Sequence, residues 1–392
     1  MKDIARTMQE IRNVGSIVPR RFEEARIEKR LTQNALADKS GISRVTISKI
    51  ENGLLLKPNM NVVTGLAWSL GKPLEFFYKD NEKNYRDTTP ISFRCYKSKS
   101  SIDNQITDIK LERAQEFVQY LYGHVNKNYL DIIPEEISAE DAVTIDRIDI
   151  EGIAYRTREK WNLTQGPIIG LITLLENHGI ICCSVDLPKK IDSINVSFSF
   201  DDEQREVSLV LYNENLNYFR QRFSLAHELG HIILHHYWSK DDFLKNGNLA
   251  EDQANKFASA FLMPYESFSN SVVSTSINGV RALKDKWKTS IASICYRMKE
   301  LDLISQRQYE NLNIYISRNG WRKVEPDDET TQKEVPYYLN QGYSFLFTNR
   351  ISSPEDVVKF VSLNPSEIVE FIGNEEHFFT RLQAEYSFVP LN

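Results

Sequence analysis

Two histidines four positions apart, with a glutamate directly after the first, are the residues best placed to do chemistry in this chain of 392 residues. His227 and His231 would lie on one face of a helix, because one turn takes 3.6 residues. Two imidazoles placed in this way can bind one Zn²⁺ at about 2.0–2.1 Å. Glu228 would stand beside the ion and accept a proton from water. The spacing therefore predicts a hydrolytic metal site.

The residues around this motif are apolar, which predicts a buried helix over residues 223–235. Burying two imidazoles and a carboxylate without partners would be costly. The structural alternative is a packed helix whose histidines bond to the backbone. Gly230 costs such a helix about 1 kcal/mol relative to alanine. Either a close neighbour or the floor of a metal site would explain it.

A third ligand is expected outside this helix, because catalytic zinc usually takes three protein ligands and leaves the fourth position to water. Glu251 is the best candidate, on a second predicted helix that ends before Pro264. Its alternative role is that of a first-turn carboxylate favoured by the helix dipole. The neighbouring Asp252 would point about 100° away. His235 is a rival, but residues i and i+8 lie about 12 Å apart on one helix.

Eight segments of the chain together resemble the ImmA/IrrE family of metallopeptidases over roughly residues 147–326. They are residues 149–161, 166–180, 222–231, 251–258, 261–264, 287–290, 296–297 and 320–326. The resemblance implies a zincin-like fold, zinc on His227, His231 and Glu251, and Glu228 as the catalytic base. It also implies that the substrate is a helix-turn-helix repressor. Phe261 stands where the family usually has an aliphatic residue, which concerns packing and not chemistry.

Five short helices are predicted near the N-terminus, at residues 20–31, 33–39, 44–51, 61–70 and 73–78. Thr32 and Ser43 are expected to cap the second and third helices, and Gly41 lies where a tight turn needs a positive φ. Two helices joined by a short turn with glycine form a helix-turn-helix unit. The expected small core consists of Val62, Leu66, Trp68, Leu70, Phe76 and Phe77.

Residues 31–53 closely resemble the Xre, or lambda-repressor-like, family of DNA-binding domains. The third helix would then enter the major groove. By this resemblance four residues face base edges: Ser43, Arg44, Val45 and Lys49. Gln33 and Asn52 are placed to contact phosphates. The alternative for Arg44 and Lys49 is a solvated helix face. Domains of this family commonly act as dimers, so we expect a homodimer on a palindromic double-stranded operator.

The charge of the chain is uneven in a way that suits DNA binding at the N-terminus. Residues 1–85 hold 15 Lys and Arg and 10 Asp and Glu, a net charge of +5, whereas the whole chain carries −6. The remainder therefore carries −11, from −6 minus 5. A basic terminal module on an acidic body favours contact with phosphate. The alternative is that the uneven distribution of charge arises by chance.

Membrane and secreted classes are not expected for this sequence. No apolar run approaches the ~20 residues that a membrane helix needs, and the N-terminus lacks the apolar stretch of a signal peptide. The four cysteines show no metal or redox spacing and are expected to be reduced thiols of a cytoplasmic protein. They are Cys95, Cys182, Cys183 and Cys295.

The predicted fold class is α+β and multidomain: an all-α helix-turn-helix domain, then a mainly helical zincin-like domain with a small β-sheet. The predicted segments are an arm at 1–17, the helix-turn-helix domain at 18–80, a linker and helical connector at 81–146, the peptidase domain at 147–326 and a helical region at 327–392. Further elements are expected as strands at 180–185 and 207–213 (the latter half-buried), a possible strand at 91–96, and helices at 111–122, 168–177, 354–363 and 365–373.

The leading hypothesis is a DNA-binding regulator that also cleaves protein with zinc. The substrate would be a helix-turn-helix repressor, either this chain or a neighbouring one. A second hypothesis is a transcription factor without proteolysis, whose peptidase-like domain senses a metal or signal. A third is an antitoxin-like or phage-related interaction protein. The intact set of His227, Glu228 and His231 favours the first hypothesis, because a domain that no longer cleaved protein would be expected to lose Glu228 first.

Overall fold

The computed structural model describes residues 16–78, 85–87, 102–125, 130, 135, 137–200 and 206–373. The chain forms two compact units. The first contains Met1–Tyr85, Ser98–Lys127 and Tyr338–Asn392, and the second contains Arg86–Lys97 and Asn128–Tyr337. The first unit thus takes residues from the predicted helix-turn-helix domain, the connector and the C-terminal region.

The N-terminal helices are α1 Pro19–Glu28, α2 Gln33–Ser40, α3 Arg44–Glu51, α4 Met60–Leu70 and a 3-10 turn at Leu74–Phe77. Thr32 caps α2, Ser43 caps α3, and Gly41 ends α2 with a φ of 69°, as expected. The core prediction is wrong for Trp68, which is 89% exposed. Val63, Leu66 and Leu70 form the buried stripe of α4, and Trp68 lies on its opposite face because each residue turns the helix by about 100°.

The same unit contains a long helix, α5, at Ile102–Tyr122. It begins nine residues before the predicted start at Leu111, in a stretch whose polar composition resembled a linker. Phe117 of α5 packs against Tyr343 and Phe371, with ring centroids 5.9 and 5.1 Å apart. A Cβ at Gly342 would come within 2.7 Å of the Leu121 side chain, which would have to move to admit any larger residue.

The short strand β1, Tyr85–Asp87, spans the point where the chain passes into the second unit, and two helices of that unit follow, α6 Ala139–Ala142 and α7 Arg147–Lys160. The predicted strand at residues 91–96 lies outside the described residues, as does Cys95. Helix α8, Leu171–Asn177, starts three residues after its predicted start because Gly170 adopts a left-handed conformation at its N-cap.

A sheet in the order β1-β3-β4-β2 follows α8. Its longer strands are β2 Ile180–Val185, β3 Ser193–Phe200 and β4 Glu206–Asn213. Strand β4 pairs in parallel with β2 and antiparallel with β3. The expectation of a half-buried β4 is wrong: all its residues after Glu206 are buried, because it is central in the sheet and covered on both faces. Strand β3 was not predicted.

The next two helices carry the predicted metal ligands: α9 Tyr218–Leu234 and α10 Lys240–Leu262. They approach closely at Gly230, where an added Cβ would lie 3.1 Å from the backbone of Ala254. This settles why a glycine stands there. Helix α10 begins with a capping box formed by Ser239 and Asp242, and its backbone is kinked at Asn246.

Buried arginines hold the C-terminal end of α10. Arg158 donates to the carbonyl of Phe261, and Arg297 donates to that of Met263 while pairing with Glu151. Carbonyls at a helix end lack intrahelical donors, so cations there are stabilising. Phe261 stacks on Phe257 with ring centroids 5.7 Å apart. The aromatic ring at position 261, where an aliphatic residue was expected, is thus accommodated by stacking on Phe257.

The remaining helices of the second unit are α11 Tyr265–Ser271, α12 Ile277–Trp287, α13 Ile291–Glu300 and α14 Gln306–Arg318. The C-terminal helices, which belong to the first unit, are α15 Tyr338–Thr348, α16 Pro354–Val361 and α17 Pro365–Ile372. Cys182, Cys183 and Cys295 are buried free thiols, as expected. Within the described residues, no helix combines the length and apolarity that a membrane crossing requires.

Candidate functional site

Helices α9 and α10 bring three predicted ligands together. The Nε2 atoms of His227 and His231 are 3.1 Å apart. The Glu251 carboxylate lies 3.6 Å from Nε2 of His227 and 3.5 Å from Nε2 of His231. Ligands of a tetrahedral zinc at about 2.05 Å are separated by roughly 3.3 Å. The three side chains therefore fit one metal ion, and Glu251 faces the histidines as expected from its helix face.

The outer nitrogen of each histidine is held by a second residue. Nδ1 of His227 lies 2.9 Å from Oδ1 of Asn255, so that nitrogen carries the proton and donates it. Nε2 of His227 is thereby left with a lone pair that points toward Glu251. Such outer hydrogen bonds fix the tautomer and the ring orientation of a metal-binding histidine.

A longer chain of hydrogen bonds fixes His231. Gln253 donates through Nε2 to the carbonyl of Ala142, which turns its Oε1 toward Nε2 of His235 at 3.2 Å. His235 then donates to Gln253 and accepts at Nδ1 from Nδ1 of His231, 3.0 Å away. Burial, with His231 nearby, holds the pKa of His235 well below its usual range, so the ring stays neutral. His235 therefore orients the candidate ligand His231 and lies outside the group of side chains that could hold a metal.

Glu228 is buried beside the metal centre and is held by strand β3. Its Oε1 accepts from the Ser193 hydroxyl at 2.6 Å, and its Oε2 accepts from the Asn195 amide at 2.5 Å. Burial raises the pKa of the Glu228 carboxyl, while His231 and these two hydrogen bonds oppose that shift. Ser193 and Asn195 were missed from the sequence. The alternation of polar and apolar residues over 193–200 was the signal that could have found them.

Asp252 shows how the helix is oriented around Glu251, which lies inside α10 and not in its first turn. Its side chain is 49% exposed and pairs with Lys256 at 2.6 Å, away from the histidines. One residue of helical rotation thus separates a surface carboxylate from a candidate ligand.

The outer face of α3 carries three of the predicted DNA-contacting residues. Arg44, Val45 and Lys49 are exposed, and Val45 is 64% exposed. Their exposure leaves all three side chains accessible on one face of α3, and their contact with DNA stays a prediction.

The other three make hydrogen bonds within the domain. Ser43 accepts from the Thr46 amide at 3.1 Å, Gln33 donates to Glu51 at 2.8 Å, and Asn52 donates to the Ser48 carbonyl at 2.8 Å. These bonds place the three side chains at the ends of α2 and α3. Their contacts with DNA remain predictions.

Comparison with known families agrees with both parts of this description. The helix-turn-helix family matches residues 22–77. The peptidase M78 family, described as an IrrE N-terminal-like domain, matches residues 185–299, which include all four predicted residues of the metal centre. A search of curated proteins finds no match. Two segments of the chain are therefore similar to known families: residues 22–77 to the helix-turn-helix family and residues 185–299 to the IrrE N-terminal-like domain of the peptidase M78 family.

Proposed function

We propose that this chain is a DNA-binding transcriptional regulator that is also a zinc-dependent endopeptidase. The observation that carries the proposal is the convergence of His227, His231 and Glu251 beside a buried Glu228. Zinc is the metal that this donor set favours, because two imidazoles and one carboxylate are a common catalytic zinc set. When bound, zinc would act as a Lewis acid that polarises the peptide carbonyl and lowers the pKa of water.

The chain's own residues would supply the proton transfers and the geometry. Glu228 would take a proton from the attacking water and later deliver it to the leaving amide nitrogen. Ser193 and Asn195 would hold both oxygens of Glu228 in place for these transfers. Asn255 and His235 would keep both Nε2 atoms aimed at one point. The products would be two peptides, one that ends in a new carboxylate and one that begins with a new amine.

At the other end of the chain, α3 would read an operator. Ser43, Arg44, Val45 and Lys49 are proposed to face base edges, with Arg44 able to bond a guanine through two hydrogen bonds. Gln33 and Asn52 are proposed to contact phosphates. Binding as a homodimer to a palindromic site, in the cytoplasm, follows from this assignment.

The proposed substrate is a helix-turn-helix repressor, either this protein or a neighbour. The test incubates the purified protein with its own helix-turn-helix domain and with repressors encoded nearby, with and without a chelator. We expect cleavage that stops with the chelator and with Glu228→Gln, while the metal content of that variant stays unchanged. If Glu228→Gln leaves every cleavage intact, the enzymatic proposal fails and a non-proteolytic regulator remains.

A further inference from the structure

A cavity of about 430 Å³ opens directly beside the metal centre, within the second unit. It shares three residues with that centre: His227, a candidate ligand, Asn255, which accepts from His227, and Ser193, which donates to Glu228. A group seated in the cavity would therefore lie next to the position of the bond to be cleaved. Pockets of about 300–1,000 Å³ are the size that binds discrete ligands.

The apolar part of the cavity wall comes from Phe223, Ile316 and Trp321. Ile316 is buried, and the Trp321 ring is held edge-on by Tyr315 with centroids 5.4 Å apart. Most of the other lining residues are polar, so this patch is the part of the wall that a bulky apolar side chain would stabilise, in proportion to the apolar area removed from water.

The carboxylates that line the cavity are already bound to donors. Glu325 accepts from Lys284 and from the amide of Ile291, and Asp328 accepts from Lys284 at 2.7 Å. Asp192 makes two 2.8 Å hydrogen bonds with Arg220. Arg220 and Lys284 thus offset two of these three negative charges, and the one that remains is shared by Glu325 and Asp328, which are both buried.

The charge of the opening is instead set by Arg322 and Lys323, which are both exposed. Arg322 donates to the Ser317 hydroxyl at 2.7 Å and to the Asn313 side-chain carbonyl at 3.3 Å. Both acceptors are neutral, so these bonds orient the guanidinium without cancelling its charge. An oriented guanidinium at a rim favours a carboxylate, which it can bind through two parallel hydrogen bonds.

We propose that this cavity is the subsite that selects the substrate, taking a bulky apolar side chain next to the cleaved bond with an acidic residue beside it. The proposal rests on the proposed peptidase function and adds the class of peptide that it accepts. Phe223, Ile316 and Trp321 bind the apolar side chain, and Arg322 binds the carboxylate.

The test uses the full-length, zinc-loaded protein and four peptides that share one scaffold. The residue next to the scissile position is Phe or Ala, and its neighbour is Glu or Lys. Cleavage is measured with wild type, and binding is measured by fluorescence anisotropy with Glu228→Gln, which needs no turnover. We expect the Phe-Glu peptide to have a KM and a Kd roughly tenfold below those of the other peptides.

Two variants and a control separate the two parts of the subsite. Arg322→Glu should raise KM for the Phe-Glu peptide about tenfold, lower it for the Phe-Lys peptide and leave kcat unchanged. Ala292→Phe, at an exposed position of the cavity wall, should fill the cavity and abolish the preference for Phe over Ala. Arg318→Glu, exposed on α14 but outside the cavity, is the charge-matched control and should change neither preference.

The outcomes distinguish this inference from the function on which it rests. Chelator-sensitive cleavage without any preference among the peptides overturns the subsite and leaves the peptidase intact. Selective binding without cleavage supports the subsite and overturns the peptidase. An equal effect of Arg318→Glu and Arg322→Glu also overturns the subsite, because the charge effect would then be general.

Discussion

The imidazoles of His231 and His235 are joined through their Nδ1 atoms at 3.0 Å, and Gln253 fixes which of them donates. Because Gln253 donates to the Ala142 carbonyl, its oxygen faces His235 and the proton on His231 must lie on Nδ1. Nε2 of His231, the nitrogen that faces Glu251, is therefore left as an acceptor by hydrogen bonds that begin outside the three candidate ligands.

We expect His235→Phe to weaken zinc binding by about 10–100-fold without removing a ligand. Phenylalanine keeps the ring but cannot accept the proton of His231, so that imidazole loses its fixed tautomer. Competition with a chromogenic chelator measures the affinity. His236→Gln is the matched control, because His236 pairs with Glu206. An unchanged zinc affinity in His235→Phe would show that the hydrogen bonds from Gln253 through His235 to His231 do not affect metal binding.

Glu251→Gln should lose stoichiometric zinc, whereas Asp252→Asn should keep it. The carboxylate of Glu251 lies about 3.5 Å from the histidine nitrogens, and that of Asp252 is turned toward Lys256. Metal analysis of the purified proteins gives the stoichiometry. Adding chelator should lower the Tm of wild type and of Asp252→Asn but not that of Glu251→Gln, since a ligand that binds only the folded state stabilises it. Equal zinc content in both variants would rule out Glu251 as a ligand.

Gly230→Ala should destabilise the second unit by about 1–3 kcal/mol, because the new Cβ would lie 3.1 Å from backbone atoms of Ala254 and α10 would have to shift to relieve the contact. Gly152→Ala is a control in the same unit, where the nearest atom is the flexible end of Arg156 at 3.5 Å. That substitution in α7 should stabilise by up to about 1 kcal/mol. Urea unfolding measures both, and the same sign for the two would contradict the packing argument.

The start of α10 should become less stable in acid. The hydroxyl and amide of Ser239 both donate to Asp242, and these hydrogen bonds lower the pKa of Asp242. A depressed carboxylate pKa contributes stability that is present above the unfolded value and lost as pH falls through the folded one. Ser239→Ala should cost about 1 kcal/mol near neutral pH. That cost should shrink below about pH 4, and a cost independent of pH would contradict this role of Asp242.

Arg44→Ala should weaken binding to a selected operator by about 1–3 kcal/mol and relax the base preference at one position. Its side chain lies on the outer face of α3, at the N-terminal end of the helix, which would enter the groove. Lys39→Ala, exposed at the end of α2, is the control for a general loss of charge. Operator selection followed by anisotropy measures both effects, and equal losses on all sequences would assign Arg44 to phosphate contact.

The sequence predicted those parts of the site that depend on local geometry. His227, Glu228 and His231 follow from the turn of one helix, and Glu251 follows from a face of small residues on the next. The alternation over residues 193–200 could have indicated the strand that carries Ser193 and Asn195. Their approach to Glu228 depends on how that strand pairs with β4, which no local spacing encodes. They are nevertheless the residues that hold both oxygens of Glu228.

The same difference between local and long-range geometry explains which parts of the fold were predicted correctly. The caps at Thr32 and Ser43 were predicted because they act within one turn of the chain. The burial of β4 and the start of α5 were not, since both depend on what covers them. Trp68 was assigned to a core on hydrophobicity alone, although its helical phase relative to Leu66 and Leu70 already indicated the outer face.

The first unit is assembled from three separate stretches of chain. The longest part of the chain that lies between these stretches runs from the residue after Lys127 to the residue before Tyr338. A protease nick anywhere in the intervening 128–337 would break the covalent path without removing a helix from that unit. The two fragments would still share the contacts of Phe117 with Tyr343 and Phe371. Cleaved protein would therefore migrate as two bands in denaturant yet elute as one species in native buffer.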